Sequence, residues 1–178
     1  MKKVLIGLVA GAALIFAASP AHAISVSADI PLQFNYTKDI EQKADSVSGA
    51  KVLVSLPILI GFGLETYTAE FDDGTGKFSS SYQFLDVFYE LPIPVINISV
   101  GLGLGQSGAT YEVPGAPPSD YDNGLATQYW LSLGYPLIPL IDLHLGYHVV
   151  DVKVGIPGGS GDVNVGGNML SLGMRIGF

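Results

Sequence analysis

Three side chains of this sequence have the types needed for acyl transfer: Ser132 as nucleophile, His144 as base and Asp142 as the group that orients the base. They sit in two alternating segments, 124–135 and 139–152, separated by the apolar, proline-bearing stretch Tyr135–Pro139. A short reversal there is expected to put Ser132 opposite His144, Trp130 opposite Gly146, Gln128 opposite His148 and Gly134 opposite Asp142. No nucleophile-elbow sequence accompanies Ser132. The competing reading is a polar network of Ser132, Asp142, His144, Glu90 and Arg175 that fills a narrow interior. It accounts for all five residues, because buried charges must pair to be tolerated. Lys51 and Glu65 read the same way, as a central ion pair rather than a gate. His148, placed beside Gln128, reads as a hydrogen-bonded histidine rather than a metal ligand. The acidic runs Asp72–Asp73–Gly74–Thr75–Gly76 and Asp120–Tyr121–Asp122–Asn123 lack the full spacing of an EF-hand loop, so no metal is expected. Gly101, Gly103 and Gly105 alternate at strand period with no helix after them, which excludes a dinucleotide fingerprint.

The elements that carry these residues are strands. Asn168–Phe178 alternates strictly, with Leu170, Leu172, Met174, Ile176 and Phe178 on one face and Ser171, Gly173, Arg175 and Gly177 on the other. Ile24–Thr37 alternates as well, predicting Phe34 and Tyr36 on the apolar face with Ile24, Val26, Ala28, Ile30 and Leu32; Pro31 interrupts its hydrogen-bonding potential. Eight such segments are expected, at about 24–37, 48–56, 59–71, 79–91, 95–106, 124–135, 139–152 and 166–178. Three apolar proline turns, at Leu56–Leu59, Leu91–Pro94 and Tyr135–Pro139, alternate with longer polar loops at Lys38–Ser46, Asp72–Lys77, Gln106–Asn123 and Lys153–Val165. Across the first turn Lys51 should meet Glu65, Leu53 Gly63 and Ser55 Gly61. Across the second, Glu90 should meet Asn97, Phe88 Ser99, Phe84 Gly103 and Tyr82 Gly105, with a bulge possible in the fourth segment.

Composition points to a membrane. Residues 1–23 form a leader, with Lys2 and Lys3, an apolar run from Val4 to Ala18 and an Ala21–His22–Ala23 end, so the mature domain is expected at 24–178. Beyond the leader sixteen acidic residues face six basic ones, which argues against a nucleic-acid partner. There is no cysteine, charged residues make up 13% of the chain, and mean hydropathy is +0.42, yet no apolar run after the leader is long enough for a spanning helix. A closed antiparallel barrel is the structure that reconciles these facts: apolar side chains to lipid, polar ones to the lumen, and Tyr36, Tyr89, Tyr129, Tyr135 and Tyr147 near the interfaces. An even strand count puts both termini on the short-turn, periplasmic side.

The chain resembles the small eight-stranded outer-membrane proteins of Gram-negative bacteria, the group of the OmpA membrane domain, OmpX and NspA, with OmpW more distant. The most specific feature is the closing strand: Ser171, Gly173, Ile176 and Phe178 match the polar-x-Gly-x-x-hydrophobic-x-aromatic signal read by the barrel-assembly machinery. The resemblance implies an all-β, up-and-down transmembrane barrel surrounded by outer-membrane lipid and lipopolysaccharide. It further implies handling by periplasmic chaperones and exposure to an extracellular partner; since the fold hosts adhesins, transporters and enzymes alike and the residues offer no catalytic motif, the expected role is structural or surface-interacting, with no cofactor and no enzymatic activity. The expected polar network of its lumen is Lys51, Glu65, Glu90, Asp142, His144 and Arg175, with Arg175 neutralising Asp142 and Glu90. A small transporter or channel for apolar or ionic solutes is the alternative that the OmpW likeness allows. A lipid A-modifying enzyme has less support, since the His-x-Ser pair of the deacylase barrels does not occur here.

Overall fold

A computed structural model describes residues 24–91, 93, 96–138, 140–159 and 161–178. The expected leader and the prolines Pro92, Pro94 and Pro139 lie outside them. Ten strands follow in order: β1 (Ser25–Tyr36), β2 (Ser46–Ser55), β3 (Ile60–Asp72), β4 (Lys77–Leu91), β5 (Asn97–Glu112), β6 (Ser119–Asp120), β7 (Gly124–Ile138), β8 (Ile141–Gly155), β9 (Asp162–Asn164) and β10 (Gly167–Gly177). Eight are long, and each pairs antiparallel with its neighbour in the order β10-β1-β2-β3-β4-β5-β7-β8. Pairing of β10 with both β1 and β8 closes the eight long strands into a barrel. The short β6 and β9 extend β5 and β8.

The first hairpin has the expected register: Lys51 faces Glu65, Leu53 faces Gly63 and Ser55 faces Gly61. Its turn is tight, with Leu59 N donating to Leu56 O at 3.0 Å, and Leu59 at φ +67°. The other two expected registers are corrected by two residues. Glu90 meets Ser99, Phe88 Gly101, Phe84 Gly105 and Tyr82 Ser107. Ser132 meets Gly146, Trp130 His148, Gln128 Val150 and Gly134 His144. The cause is the period of the pleat: a slip of two residues returns every side chain to its own face, so alternation is blind to it. In the last hairpin β7 runs on through an irregularity between Pro136 and Ile138 before the chain reverses. The bulky-against-glycine packing survives with different partners. A β-carbon on Gly101 would lie 2.3 Å from the Trp130 ring, and one on Gly61 would lie 2.1 Å from the Phe88 ring.

The bulge sits in β1, not in the regular β4. Pro31 pairs with Ser171 and Gln33 with Leu170, so Leu32 is an extra residue. Proline supplies no ladder donor, and the slip it permits reverses the upper part of the strand. Val26, Ala28 and Ile30 point outward as expected, but Phe34 and Tyr36 are buried inside, at 0% and 2% exposure. Tyr36 is therefore not an interfacial girdle residue. Its hydroxyl is 2.6 Å from Ser80 Oγ and donates to Ala69 O at 2.9 Å.

That reversal fits a wider pattern. In the lower half, toward the Leu56–Leu59 turn, Asp86 and Glu90 of β4 point inward while Leu85, Val87 and Leu91 point outward. In the upper half the same strand turns Phe78, Tyr82 and Phe84 inward, with Lys77, Ser81 and Gln83 outward. β3 and β8 repeat it: Tyr67, Phe71, Val150, Val152 and Val154 are buried above, Glu65 and His144 below. The lower barrel holds its buried charges inside, beside Leu53, Phe88 and Trp130, and is apolar outside; the upper barrel is packed with aromatic and aliphatic side chains and, Leu125 apart, is mainly polar outside. Because alternation continues through this change, the strands run farther than expected. β5 reaches Glu112 within the expected loop Gln106–Asn123, and β6 pairs back on it. The Lys38–Ser46 segment likewise folds onto β1, with Ala44 N donating to Phe34 O at 2.9 Å.

Candidate functional site

The lumen of the lower barrel gathers the charged side chains. Each reaches it because it occupies an inward position of its strand, and neighbouring strands deliver their inward residues at matching heights. Lys51 of β2 is central: its Nζ lies 3.5 Å from Glu65 Oε2, 3.7 Å from Asp86 Oδ2 and 3.5 Å from the centre of the Trp130 ring. Gln128 Nε2 donates to Glu65 at 2.7 Å and to Asp86 at 2.9 Å, and Trp130 Nε1 donates to Asp86 at 3.0 Å. His148 stacks on Trp130, with Nε2 3.1 Å from Ser171 Oγ and Nδ1 3.4 Å from Gln128 Oε1. The cluster ties β2, β3, β4, β7, β8 and β10 together across the interior. Lys51, Glu65, Asp86, Gln128 and His148 are each at most 4% exposed, so the cluster fills the lumen at this height.

Below it lies a second layer. Arg175 Nη1 is 2.8 Å from Glu90 Oε1 and its Nη2 donates to Ser99 at 3.2 Å, joining β10 to β4 and β5. His144 Nε2 is 2.9 Å from Asp29 Oδ1. This pair sits over Gly173, where a β-carbon would lie 2.4 Å from His144 and 2.5 Å from Asp29. Asp142 is half-buried and accepts a short hydrogen bond from Asn97 Nδ2. Above the central cluster Phe34, Tyr67, Tyr82 and Phe84 form a packed aromatic layer, with Tyr67 and Tyr82 stacked at 4.6 Å between ring centres. Tyr82 also donates to Val165 O at 2.6 Å.

The six lumen residues named from sequence are thus all inward or half-buried, but their pairing differs in two respects. Arg175 takes Glu90 and not Asp142, although Arg175 and Asp142 are cross-strand neighbours. His144 takes Asp29, from the strand on the far side of β10, and not Ser132. Ser132 faces Gly146 and Ser99, so nucleophile, base and orienter do not converge. Asp29, Asp86, Gln128 and Trp130 complete the two layers. Their signal was inward parity, which marked them as lumen residues without naming partners several strands away. Of the closing-strand residues, Ser171 and Gly173 are buried in the lumen, while Ile176 and Phe178 are exposed outside.

At the opposite end, the acidic run of the β3–β4 turn is a structural device. Asp73 Oδ1 accepts from Thr75 N at 2.9 Å, Thr75 Oγ1 at 2.6 Å and Gly76 N at 2.9 Å, and Oδ2 accepts from the Tyr111 hydroxyl at 2.9 Å. These donors, the Thr75 side chain foremost, hold the Asp73 carboxyl well below the usual carboxylate range.

No protein-family model matches the chain, and no curated protein sequence matches it. Solved structures do. Neisserial surface protein A superposes with a TM-score of 0.61 over 90% of this chain and 99% of that one, at 16% identity. The fold is that of the small outer-membrane barrels. Ail, the attachment invasion locus protein of Yersinia pestis, shares it at a TM-score of 0.56, 15% identity and coverage of 87% and 99%. So does the N-terminal barrel domain of Pseudomonas aeruginosa OprF, at 0.52, 15% identity and coverage of 88% and 98%. Outer-membrane barrels of this size have interiors that side chains can fill, and the two charged layers and the aromatic layer here do so.

Proposed function

We propose that this chain is an integral barrel of the bacterial outer membrane whose role is structural or adhesive and is exercised by its extended rim, with a lumen that carries no solute and no catalysis. Residues 1–23 would be the export leader, both termini would be periplasmic, and the β3–β4 and β5–β7 connections would face outward. The observation that carries this reading is the reversal of polarity along the barrel axis. A soluble barrel keeps an apolar inside and a polar outside along its whole length; here only the upper part does so. The lower part exposes Leu64, Leu85, Leu102 and Leu104 at 59% or more, a surface suited to hydrocarbon. The upper part is then a wall that projects beyond the membrane.

The rim narrows the kind of partner. Ail has been solved with the heparin analogue sucrose octasulfate. In the present chain the rim away from the Leu56–Leu59 turn exposes Asp72, Asp73, Glu112, Asp120 and Asp122 among acidic residues that outnumber its lysines Lys38, Lys43, Lys77 and Lys153, which opposes a polyanion and favours a cationic surface.

Heat-modifiable migration of the membrane fraction, with protease added to intact cells, tests the reading. A shift between folded and heated forms, with cleavage confined to the segment after β5, supports it. A soluble protein without such a shift overturns it.

A further inference from the structure

At the rim opposite the Leu56–Leu59 turn, two connections stand against each other and leave a cleft of about 390 Å³ between them. One side is the β3–β4 turn, with Asp72 and Lys77 at its ends. The other is the start of the segment after β5, where Val113, Pro114, Ala116 and Pro118 follow Glu112. Both sides are held in shape. Ala116 N donates to Val113 O at 3.1 Å, and Pro114 followed by Gly115 at φ +86° is the pattern of a type II turn. The β3–β4 turn is closed by the Asp73 carboxylate, and Thr75 Oγ1, 2.7 Å from the Tyr111 hydroxyl, ties it to β5. Where the two sides meet they are close-packed: a β-carbon on Gly76 would lie 2.5 Å from Glu112 O. The cleft is therefore formed before anything enters it, and a ligand need not order the loops.

Its lining has two kinds of surface. Asp72, Lys77 and Glu112 form one cross-strand row over β3, β4 and β5, and the ion pair of Lys77 goes to Glu70, at 2.9 Å, rather than to either neighbour. Beside the two exposed carboxylates, Val113, Pro114, Ala116 and Pro118 offer exposed apolar side chains.

We infer that this cleft seats one lysine or arginine side chain of a partner protein, on the reading that the rim faces outward and favours a cationic surface. The charged head meets Asp72 and Glu112, and the aliphatic stem lies on the valine, alanine and proline surface. Other occupants fit less well. An anion meets two carboxylates, and an apolar side chain would cover them without pairing them. A bare metal ion lacks ligands, because among the described residues no three acidic or histidine side chains converge to hold one.

Nuclear magnetic resonance of the nitrogen-15-labelled chain, folded in an uncharged detergent and titrated with N-acetyl-argininamide, tests the inference. Heat-modifiable migration first establishes that the parent and each variant fold, so that failure of the barrel reading is seen separately. The expected result is saturable shifts of the Gly74, Gly76, Glu112 and Ala116 amides. Guanidinium ion, which has the charge without the stem, should bind there more weakly. Glu112→Gln should weaken argininamide binding about fivefold, as loss of one exposed charge pair at the upper end of its range gives. Val113→Ser should weaken argininamide and leave guanidinium unchanged, while Asp162→Asn, exposed elsewhere on the rim, should change neither. Guanidinium binding as tightly as argininamide would overturn the inference, as would binding unchanged in Glu112→Gln. Shifts spread evenly to Asp120, Asp122 and Asp162 would overturn it too, while leaving a cationic partner for the rim standing. An absence of shifts would remove both.

Discussion

Arg175, on the closing strand, forms its ion pair across the lumen with Glu90 of β4, at 2.8 Å, while its cross-strand neighbour Asp142 is held by Asn97. Both partners of the pair are largely buried, so removing one leaves the other charged without compensation. Arg175→Met should lower unfolding free energy in detergent by about 3–5 kcal/mol. The double variant Arg175→Met/Glu90→Leu should recover most of that loss, and a denaturant titration of the four proteins measures the coupling. Arg175→Met alone should cost far more than Asp142→Asn.

The bulge at Leu32 makes a prediction opposite to that of unbroken alternation. With Phe34 inside the aromatic layer, Phe34→Ala should cost about 3–5 kcal/mol, whereas an outward phenylalanine would cost little. Tyr36→Phe should cost about 1 kcal/mol through its lost hydrogen bonds to Ser80 and Ala69. Equilibrium unfolding measures both.

The architecture was legible in the sequence because a barrel writes itself at period two. Lys51 opposite Glu65 followed from a tight, apolar turn. The other registers did not, because Glu90 opposite Asn97 and Glu90 opposite Ser99 satisfy the same alternation and differ only in where the chain reverses. Phe34 and Tyr36 were misplaced because one extra residue at Leu32 inverts everything above it. The inward aromatics of the upper half also match the alternation of a polar lumen until the polarity step is seen. The pairs Asp29–His144 and Arg175–Glu90 were out of reach for another reason. They join side chains across the interior, where sequence spacing and nearest-neighbour register say nothing.

Acid should loosen the β3–β4 turn at a definite stage. The folded carboxyl of Asp73 is depressed, so its contribution to turn stability is complete above the ordinary carboxylate pKa of about 4 and is lost as pH falls toward the folded value. Amide exchange of Thr75 and Gly76 should show growing loss of protection as pH falls below about 4, once the intrinsic pH dependence is removed. In Asp73→Asn protection should be weaker throughout and this step absent.

Phe178 is 73% exposed, and its backbone N donates to Ile24 O at 2.9 Å. Its ring therefore adds little to the finished barrel. Phe178→Ala should reduce the amount of protein reaching the membrane in cells while leaving refolding into detergent close to the parent. An equal effect on both would remove the assembly role proposed for Ser171, Gly173, Ile176 and Phe178.

The reversed polarity of the lower barrel is tested most directly by the chain's single tryptophan. Trp130 is 4% exposed inside the lumen and Leu102 is 68% exposed outside it, on the neighbouring strand. The measurement is fluorescence quenching by bromines placed on the acyl chains of the surrounding bilayer. It compares the parent with the Trp130→Phe/Leu102→Trp variant. Strong quenching of the variant and weak quenching of the parent is the expected result. Strong quenching of Trp130 with a protected tryptophan at position 102 would contradict it.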